Sequence, residues 1–351
     1  MTAGVRGDAH EHVADAPGTG AVTFAVIGNG FGRQHLAWLA EADGARVELL
    51  CFRSDAGAAE ETARRHGVAR VSSSAADALT GDVDVVCVVT PVDTHVDLVR
   101  RALAGGSAVV CDKPLALTAA DADALADLAA GTPSMVMFQW RFHPAVEALR
   151  ALLGSGRLGV VVDVTASFDH DFLASPASRS PWRHDPARAG AGALADQGVH
   201  LLDLLMWTTG HDYRVRAAVA RVVHGVRDDG SGPVGCRTED AATVVLESPQ
   251  DGHSAQVQVS RVSAGLRRIR VAVRGTGACA ELEIDPETTS AVLAVTGDEP
   301  RRWPAGSLRN PYEAFLAARA GAPVPVPSFA DAARAQALLD AATALLHHRS
   351  A

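Results

Sequence analysis

The chain has 351 residues, of which 48% are hydrophobic and 21% are charged, and its formal net charge is −9. This composition is typical of a globular protein of about two domains, and it excludes a mainly disordered chain and a basic surface for nucleic acid or anionic membranes. No uncharged apolar run reaches the roughly 18 residues of a membrane helix and no signal-peptide pattern opens the chain, so we expect a cytoplasmic protein.

Residues 1–20 are small, polar and aperiodic, and we expect them to form a disordered tail in which His10 and His12 are too few ligands for a metal site. From residue 21 onward, apolar runs alternate with amphipathic segments. This alternation predicts an α/β Rossmann-like domain with a parallel sheet over residues 21–145. The predicted strands are Ala21–Ile27, Ala45–Cys51, Val83–Val89, Ser107–Cys111 and Ser134–Phe138, and the predicted helices are Arg33–Ala42, Ala58–His66, Val96–Leu103 and Ala119–Ala130.

Residues 146–326 carry successive short strand patterns separated by turn signals, which predict an α+β domain with an open, mainly antiparallel sheet. The predicted strands are Val160–His170, Tyr213–His224, Ala241–Leu246, Ala255–Ser260, Ile269–Val273, Ala280–Ile284 and Ala291–Val295, with one apolar helix at Val199–Thr208. The last segment, 327–351, contains the predicted helix Phe329–His348 with Ser328 as its N-cap, and we expect it to pack back on the first domain. The five cysteines lack Cys-x-x-Cys spacing and are expected to be free and reduced.

A glycine-rich turn, Gly28-Asn29-Gly30-Phe31-Gly32, joins the first predicted strand to the first helix. Such a turn lets a pyrophosphate approach the backbone, where free N–H groups at the helix N-terminus can bind it. The third glycine comes one residue earlier than in Gly-x-Gly-x-x-Gly, and a purely structural turn is the alternative. The strand–turn–helix context favours a dinucleotide site.

The end of the second strand bears on which dinucleotide binds. Phe52 stands where NAD sites usually carry an acid, and Arg53 and Ser54 follow it. Because a guanidinium beside a hydroxyl suits a 2′-phosphate, the sequence favours NADP(H), with NAD(H) as the alternative. Asp55 either serves as the ribose ligand of NAD(H) or caps the next helix.

Two further turns lie where strands of this sheet end, which is the edge that binds ligands. Thr90-Pro91 follows the third strand and is predicted to contact the cofactor, and His95 is either a second contact or a polar residue at a helix start. Lys113 follows the fourth strand and is the only lysine among 32 Lys and Arg residues. An ammonium is a compact charge with a tunable pKa, so we expect Lys113 to act where the nicotinamide and substrate meet.

The second domain supplies a candidate partner for Lys113. A loop of small residues over 190–195 leads to Asp196 and His200, which are four residues apart and share a helix face if the helix starts early enough. An imidazole beside a carboxylate is suited to proton transfer at neutral pH, although a histidine on a helix is more often structural.

The chain resembles the glucose–fructose oxidoreductase / inositol dehydrogenase / MocA family from about residue 21 to 350. The resemblance rests on the order and spacing of the glycine turn and of Thr90-Pro91…His95, Asp112-Lys113-Pro114, Arg141-Phe142-His143-Pro144, Trp182-Arg183, Asp196-x-Gly198-x-His200-x-x-Asp203 and Ser328-Phe329-Ala330-Asp331. The chain departs from the family pattern in its early third glycine, in Phe52 where an acid is usual, and in Asp112 where glutamate is usual.

The resemblance implies an NAD(P)-dependent oxidoreductase in which Lys113 contacts the nicotinamide ribose and the reacting oxygen. It also implies that His200 is the general acid/base, with Asp196 as its partner or as a hydrogen-bonding group for the substrate. The implied substrate-side residues are Arg141, Trp182 and Arg183.

We expect NADPH-dependent reduction of a carbonyl on a sugar, nucleotide sugar or cyclitol. The alternatives are a reductase of imines or non-sugar carbonyls, an NAD-dependent glycoside hydrolase and a non-catalytic dinucleotide sensor. The partners we expect are this small-molecule substrate and further copies of the chain in a homodimer or homotetramer. The resemblance implies an oligomer, and an open sheet whose second face is apolar needs that face covered.

Overall fold

The predicted β-α alternation forms a six-stranded parallel sheet in the computed structural model, which describes residues 20–177, 181–228 and 230–347. Its strands are β1 Val22–Ile27, β2 Ala45–Cys51, β3 Arg70–Ser72, β4 Val85–Val88, β5 Ala108–Cys111 and β6 Ser134–Val136. The helices that connect them are α1 Gly32–Glu41, α2 Ala56–His66, α3 His95–Ala104 and α4 Ala119–Leu128. Every residue of β4 and β5 is buried, as expected for strands covered on both faces.

The strand order is β3-β2-β1-β4-β5-β6, and β1 pairs in parallel with both β2 and β4. The order in which successive strands are added to the sheet therefore reverses between β1 and β4, with β2 and β3 on one side and β4 to β6 on the other. Ligands of doubly wound folds bind at this point, beyond the carboxyl ends of the strands. The glycine turn follows β1 and Thr90-Pro91 follows β4, so both lie beside this crevice.

The second half of the chain forms an eight-stranded sheet with helices on one side. Its elements are α5 Pro144–Gly154, β7 Val161–Asp169, α6 Pro186–Ala189, α7 Val199–Thr209, β8 Arg214–Arg221, β9 Val226–Asp228, β10 Pro233–Gly235, β11 Ala241–Glu247, β12 Ser254–Ser260, β13 Arg268–Gly275, β14 Cys279–Ile284, β15 Ala291–Val295, β16 Arg301–Trp303, α8 Pro311–Arg319 and α9 Phe329–His347. The order is β16-β15-β14-β13-β7-β12-β11-β8, with β9 and β10 as a separate ribbon. Only β7 and β12 pair in parallel within this described sheet, so it is mainly antiparallel, as predicted.

The two faces of this sheet differ. On β11, Ala242, Val244 and Leu246 are buried while Val245 is exposed, the alternation expected of a sheet covered on one side. Helices α5, α7 and α9 contact the sheet, through β14 and β15, through β7 and through β8 respectively.

The sequence patterns did not reveal the short elements, and they made one long strand too long. The three-residue strands β3, β9, β10 and β16 are too brief to show a period, and helices α5 and α8, which each begin with a proline, were not predicted. The predicted strand Tyr213–His224 is shorter in the structure. It ends at Arg221 because Asp240 accepts hydrogen bonds from the backbone N–H groups of Val223 and His224, at 2.8 and 3.0 Å.

Helix α9 connects the two domains. Ser328 and Asp331 form a capping box: the Ser328 hydroxyl accepts from the Asp331 N–H at 3.1 Å, and the Asp331 carboxylate accepts from the Ser328 N–H at 2.9 Å. The helix packs against α4 of the first domain and against α7 of the second. Beneath its first turn, the Arg141 guanidinium binds the carboxylates of Asp203 and Asp331.

The five cysteines are free, as predicted, and Cys279 is the exposed one. Among the described helices, none has the length and hydrophobicity needed to cross a membrane. The predicted disordered tail lies outside the described residues, apart from Gly20.

We expect Arg141→Ala to lower the free energy of unfolding by about 3–5 kcal/mol, because it leaves the fully buried Asp203 carboxylate without its cation. Arg157→Ala is the matched control, since Arg157 pairs with Asp298 on the surface and exposed ion pairs contribute little. Urea denaturation followed by circular dichroism measures both. Equal losses in the two variants would contradict the assignment of a stabilising role to the buried network.

Candidate active site

The glycine turn has the geometry of a pyrophosphate site. Gly28 adopts φ 119°, and a Cβ there would lie 2.1 Å from the Val89 carbonyl oxygen, so only glycine fits. Helix α1 begins after Phe31 with no side-chain cap and no acid in its first turn. The N–H groups of Arg33 and Gln34 donate to the carbonyl oxygens of Gly30 and Phe31, which leaves the N–H groups of residues 30–32 for a ligand among the described contacts. A Cβ on Gly30 would meet only open space. These observations fit a dinucleotide phosphate at this turn.

Arg53, Ser54 and Asp55 all line the cleft at the end of β2. The Asp55 carboxylate accepts a hydrogen bond from the Ala58 N–H at 2.9 Å and caps helix α2. Asp55 thus has the capping role that the sequence left as one of two alternatives. The Arg53 side chain is exposed at the cleft wall.

Thr90 and Pro91 also line the cleft, but His95 does not. The His95 ring is 1% exposed and lies beneath two cofactor-side turns. Its Nδ1 is 2.9 Å from the Pro114 carbonyl oxygen and its Nε2 is 2.8 Å from the Thr90 carbonyl oxygen. His95 therefore links the turn after β4 to the turn after β5, rather than facing the cleft as a contact of the cofactor.

Lys113 joins the two domains at the cleft. Its Nζ lies 3.0 Å from Asp196 Oδ1 and 2.5 Å from the Asp196 carbonyl oxygen, while Arg183 Nε lies 3.1 Å from Asp196 Oδ2. Burial by itself would raise the pKa of Asp196, but the charges of Lys113 and Arg183 hold that pKa well below its usual range. Asp196 is therefore an anion fixed between two cations.

His200 lies close to this ion pair without bonding to it. Asp196 belongs to the π-helical turn Leu194–Gly198, which runs directly into α7 and His200. Both Asp196 oxygens bind cations, and the described contacts include no hydrogen bond between Asp196 and His200, the pair that the sequence offered as carboxylate and acid/base partners. The reason is electrostatic, because a carboxylate binds a cation more strongly than a neutral imidazole.

The imidazole of His200 is held in an apolar environment behind the cleft, because Lys113 and Asp196 line the cleft and His200 does not. The ring is 4% exposed and packs against Phe138 and Phe168, with centroids 5.9 and 6.3 Å away. Burial lowers the pKa of His200 well below its usual value; Lys113 lowers it further, and Asp196 opposes the shift. The Nδ1 atom is buried and has no hydrogen-bond partner in the described part of the chain.

The three predicted substrate-side residues separate into two groups. Trp182 and Arg183 line the cleft, and the Arg183 guanidinium stacks 4.3 Å from the Trp182 ring. Arg141 is not at the cleft, because Asp203 and Asp331 hold its guanidinium inside the protein. The structure therefore places Arg141 in the framework that supports α7 and α9.

Arg261 and Glu239 take part in the site and were missed by sequence reasoning. Arg261 lines the cleft although it is 1% exposed, and its Nε lies 3.0 Å from Asp240 Oδ1. The Glu239 carboxylate accepts from the N–H groups of Gly192 and Leu194, at 2.7 and 2.9 Å, and so holds the loop that leads to Asp196. No local pattern marks either residue, because their partners lie far away in the sequence.

The cleft has a volume of about 940 Å³ and is lined by both domains. It extends from the glycine turn and the end of β2 to Lys113, Asp196 and Arg261. This size suits a cofactor together with a small substrate, and the wall combines apolar surface with a few convergent charged groups.

Comparison with known proteins identifies the family. Residues 22–139 match the oxidoreductase family with an NAD-binding Rossmann fold, and residues 146–281 match the GFO/IDH/MocA C-terminal domain. The chain belongs to the GFO/IDH/MocA family of oxidoreductases. The Rossmann-like first domain and the mainly antiparallel second sheet, predicted from the sequence, are the two domains of this family.

Several named relatives of the chain are dehydrogenases. The chain is 29% identical to inositol 2-dehydrogenase of Rhizobium meliloti over 92% of its own length and 96% of that protein. It is 31% identical to D-apiose dehydrogenase of Paraburkholderia graminis, a match that covers 70% of this chain and only 62% of that protein. An oxidoreductase domain protein from Kribbella flavida has a similar structure, with a TM-score of 0.84, 27% identity and coverage of 94% of this chain and 98% of that one.

We expect His95→Ala to lower stability by about 1–3 kcal/mol and to weaken dinucleotide binding, because the ring packed between the two turns is lost together with the one N–H that a neutral imidazole donates to a carbonyl oxygen, so the turns loosen. His224→Ala is the matched control, since His224 Nε2 also lies near one carbonyl oxygen, that of Ala174 at 3.0 Å, away from the cleft. Thermal denaturation and fluorescence titration with NADPH measure the two effects. Unchanged affinity in His95→Ala would show that the ring does not position the turns.

Proposed function

We propose that the chain is an NADP(H)-dependent oxidoreductase that interconverts a hydroxyl and a carbonyl on a sugar, nucleotide sugar or cyclitol, chiefly as a ketoreductase. The observation that carries this proposal is the Lys113–Asp196 ion pair at the cleft that the glycine turn also lines. The nicotinamide, when bound, supplies or accepts the hydride. Binding, orientation and proton transfer are left to the side chains of the chain itself.

The cofactor preference rests on the cations near the end of β2. Arg53 and Ser54 line the cleft, and Arg33 of helix α1 lines it as well. The only acid directly after them, Asp55, uses its carboxylate to cap α2. Cations and a hydroxyl suit a ribose 2′-phosphate, whereas a ribose 2′-hydroxyl favours a free carboxylate. NAD(H) is the alternative if Asp55 leaves its cap.

Lys113 and His200 divide the work on the reacting oxygen. The Lys113 ammonium is held in place by Asp196 and presents a fixed positive charge, which stabilises negative charge developing on the substrate oxygen. His200 is neutral at pH 7, because burial lowers its pKa, and can take up the proton of a hydroxyl. In the direction of carbonyl reduction, the protonated ring donates a proton to the substrate oxygen.

The substrate class rests on the remaining wall of the cleft. Trp182 offers an aromatic surface, and Arg183, Asp196 and Arg261 offer charged groups that hydrogen-bond hydroxyls or a phosphate. Such a mixture suits a polyhydroxylated ring better than an apolar carbonyl compound. Reduction of an imine or a non-sugar carbonyl is the alternative on the same fold.

We also propose that the chain acts in the cytoplasm as a homodimer or homotetramer. The face of the eight-stranded sheet away from the helices exposes valines on three of its strands, which supports association through this face. The exposed valines are Val162 on β7, Val219 on β8 and Val245 on β11.

The direct test measures turnover of NADPH and NADH by the purified chain with keto-sugars, keto-cyclitols, nucleotide-linked keto-sugars and imines. We expect NADPH oxidation with polyhydroxylated ketones. Turnover of imines alone would favour the alternative substrate class. Binding of neither dinucleotide would overturn the proposal.

We expect Arg53→Ala to weaken NADPH binding about 10- to 100-fold while NADH binding stays unchanged, because a charge-assisted hydrogen bond to the 2′-phosphate is lost. Arg64→Ala is the control, an exposed arginine of α2 that pairs with Glu61. Fluorescence titrations measure both dinucleotides. An equal loss of affinity for NADPH and NADH would show that Arg53 contacts a group that both cofactors carry.

The depressed pKa of His200 predicts opposite pH profiles for the two directions. Alcohol oxidation needs the neutral ring, so its rate should stay constant as pH falls from neutral and decline only at pH values well below the ordinary pKa of histidine. Carbonyl reduction needs the protonated ring, so its rate should fall by about tenfold for each pH unit above the pKa. His200→Asn should reduce kcat roughly 10²- to 10⁴-fold and remove both trends. A retained profile in this variant would assign the proton to another group.

A further inference from the structure

A second cluster of metal-ligating side chains lies outside the cleft, where helix α7 meets the hairpin between β11 and β12. It consists of His211, Asp251 and His253, and one ligand atom from each lies within 4.8 Å of the others. None of the three lines the cleft, and the proposed oxidoreductase reaction does not use them. His253 is buried, while the side chains of His211 and Asp251 are 29% and 36% exposed.

The hydrogen bonds behind His253 allow the tautomer that a metal ligand needs. The Thr209 hydroxyl donates to the Leu205 carbonyl oxygen at 2.7 Å, and the Thr209 oxygen accepts from the Tyr213 hydroxyl at 3.2 Å. In that arrangement the Tyr213 oxygen, 2.7 Å from His253 Nε2, accepts a hydrogen bond from a proton on Nε2. When the Tyr213 hydroxyl donates to Nε2 instead, the proton of the neutral ring is on Nδ1.

When His253 is protonated on Nε2, its Nδ1 carries a lone pair that faces Asp251. That atom lies 2.6 Å from Asp251 Oδ1, and His211 Nδ1 lies 3.6 Å from the same carboxylate oxygen. A proton on Nδ1 makes the 2.6 Å contact an ordinary hydrogen bond, and a metal ion between the two atoms can take the place of that proton.

We propose that His211, Asp251 and His253 bind a divalent transition-metal ion of the zinc class. Two imidazole nitrogens and one carboxylate oxygen are ligands that Zn²⁺ prefers, whereas Mg²⁺ and Ca²⁺ prefer oxygen alone. Zinc–ligand distances of about 2.0–2.2 Å require Asp251 and His253 to separate slightly from their present contact. The exposure of His211 and Asp251 gives the ion access from solvent and leaves room for a water ligand.

The groups around the cluster match what such a site needs. A metal-bound imidazole normally donates its other N–H to a fixed oxygen, which is the relation between His253 and Tyr213. The Ser248 hydroxyl lies 2.9 Å from His211 Nδ1 and also hydrogen-bonds the Asp251 carboxylate. It can therefore turn fully to Asp251 when the metal takes His211. The ion would connect the residue after α7 to the β11–β12 hairpin and stabilise both.

The test is calorimetric titration of EDTA-treated, tag-free full-length chain with ZnCl₂. We expect one bound ion per chain, a higher melting temperature with Zn²⁺, and a tetrahedral ligand-field spectrum with Co²⁺. His211→Gln and Asp251→Asn should each weaken binding by at least about tenfold. Both side chains are partly exposed, so these variants should fold, and dinucleotide binding should stay unchanged in both.

Two controls separate this site from other histidines of the chain. His224→Gln removes a described histidine elsewhere in the second domain and should bind Zn²⁺ like the wild type. The double variant His10→Gln/His12→Gln should do so as well. Full-affinity binding in His211→Gln, or its loss in the double variant, would overturn the proposal, as would the absence of Zn²⁺ binding in the wild-type chain. These outcomes do not depend on whether the cleft turns over any substrate.

Discussion

The ion pair between Lys113 and Asp196 is the interaction on which the arrangement of the site depends. It joins the end of a strand in the first domain to the turn that begins α7 in the second, and Arg183 completes it on the other carboxylate oxygen. A partly buried carboxylate held between two cations has few low-energy positions, so it helps to fix where the two domains meet. The cleft is the space that this contact leaves between the glycine turn and the second domain.

Other buried charges hold the elements that carry this pair. Arg141 binds carboxylates from α7 and α9, and Glu239 accepts two N–H groups of the loop before Asp196. The fully buried Asp240 carboxylate binds Arg227 and Arg261. Each group would be costly to bury alone, so every partner restricts the position of the other. The second domain thus holds its site residues rigidly from behind, as hydride transfer requires.

The sequence predicted the parts of the fold that have a strong local signal. β2 has its predicted bounds, Ala45–Cys51, because its apolar run is bounded by turn residues; the shorter β3 has no such run. The sequence left Asp55 either as a ribose ligand or as a helix cap. The structure makes it the cap, because α2 begins directly after it at Ala56. His95 and Arg141 were expected at the cleft because they belong to family motifs. Their partners, carbonyl oxygens in two different turns and carboxylates on two different helices, cannot be inferred from spacing.

The sequence by itself determined the class of the protein: the glycine turn after a strand, the lone Lys113 after another, and the Asp196…His200 spacing are local features that chain order preserves. Only the tertiary structure decided which groups touch. In the structure, Asp196 pairs with Lys113 and Arg183 instead of with His200. His211 lies beside Asp251 and His253. The physical reason is that electrostatic partners are chosen by distance in space and by burial, and neither is encoded in the separation of residues along the chain.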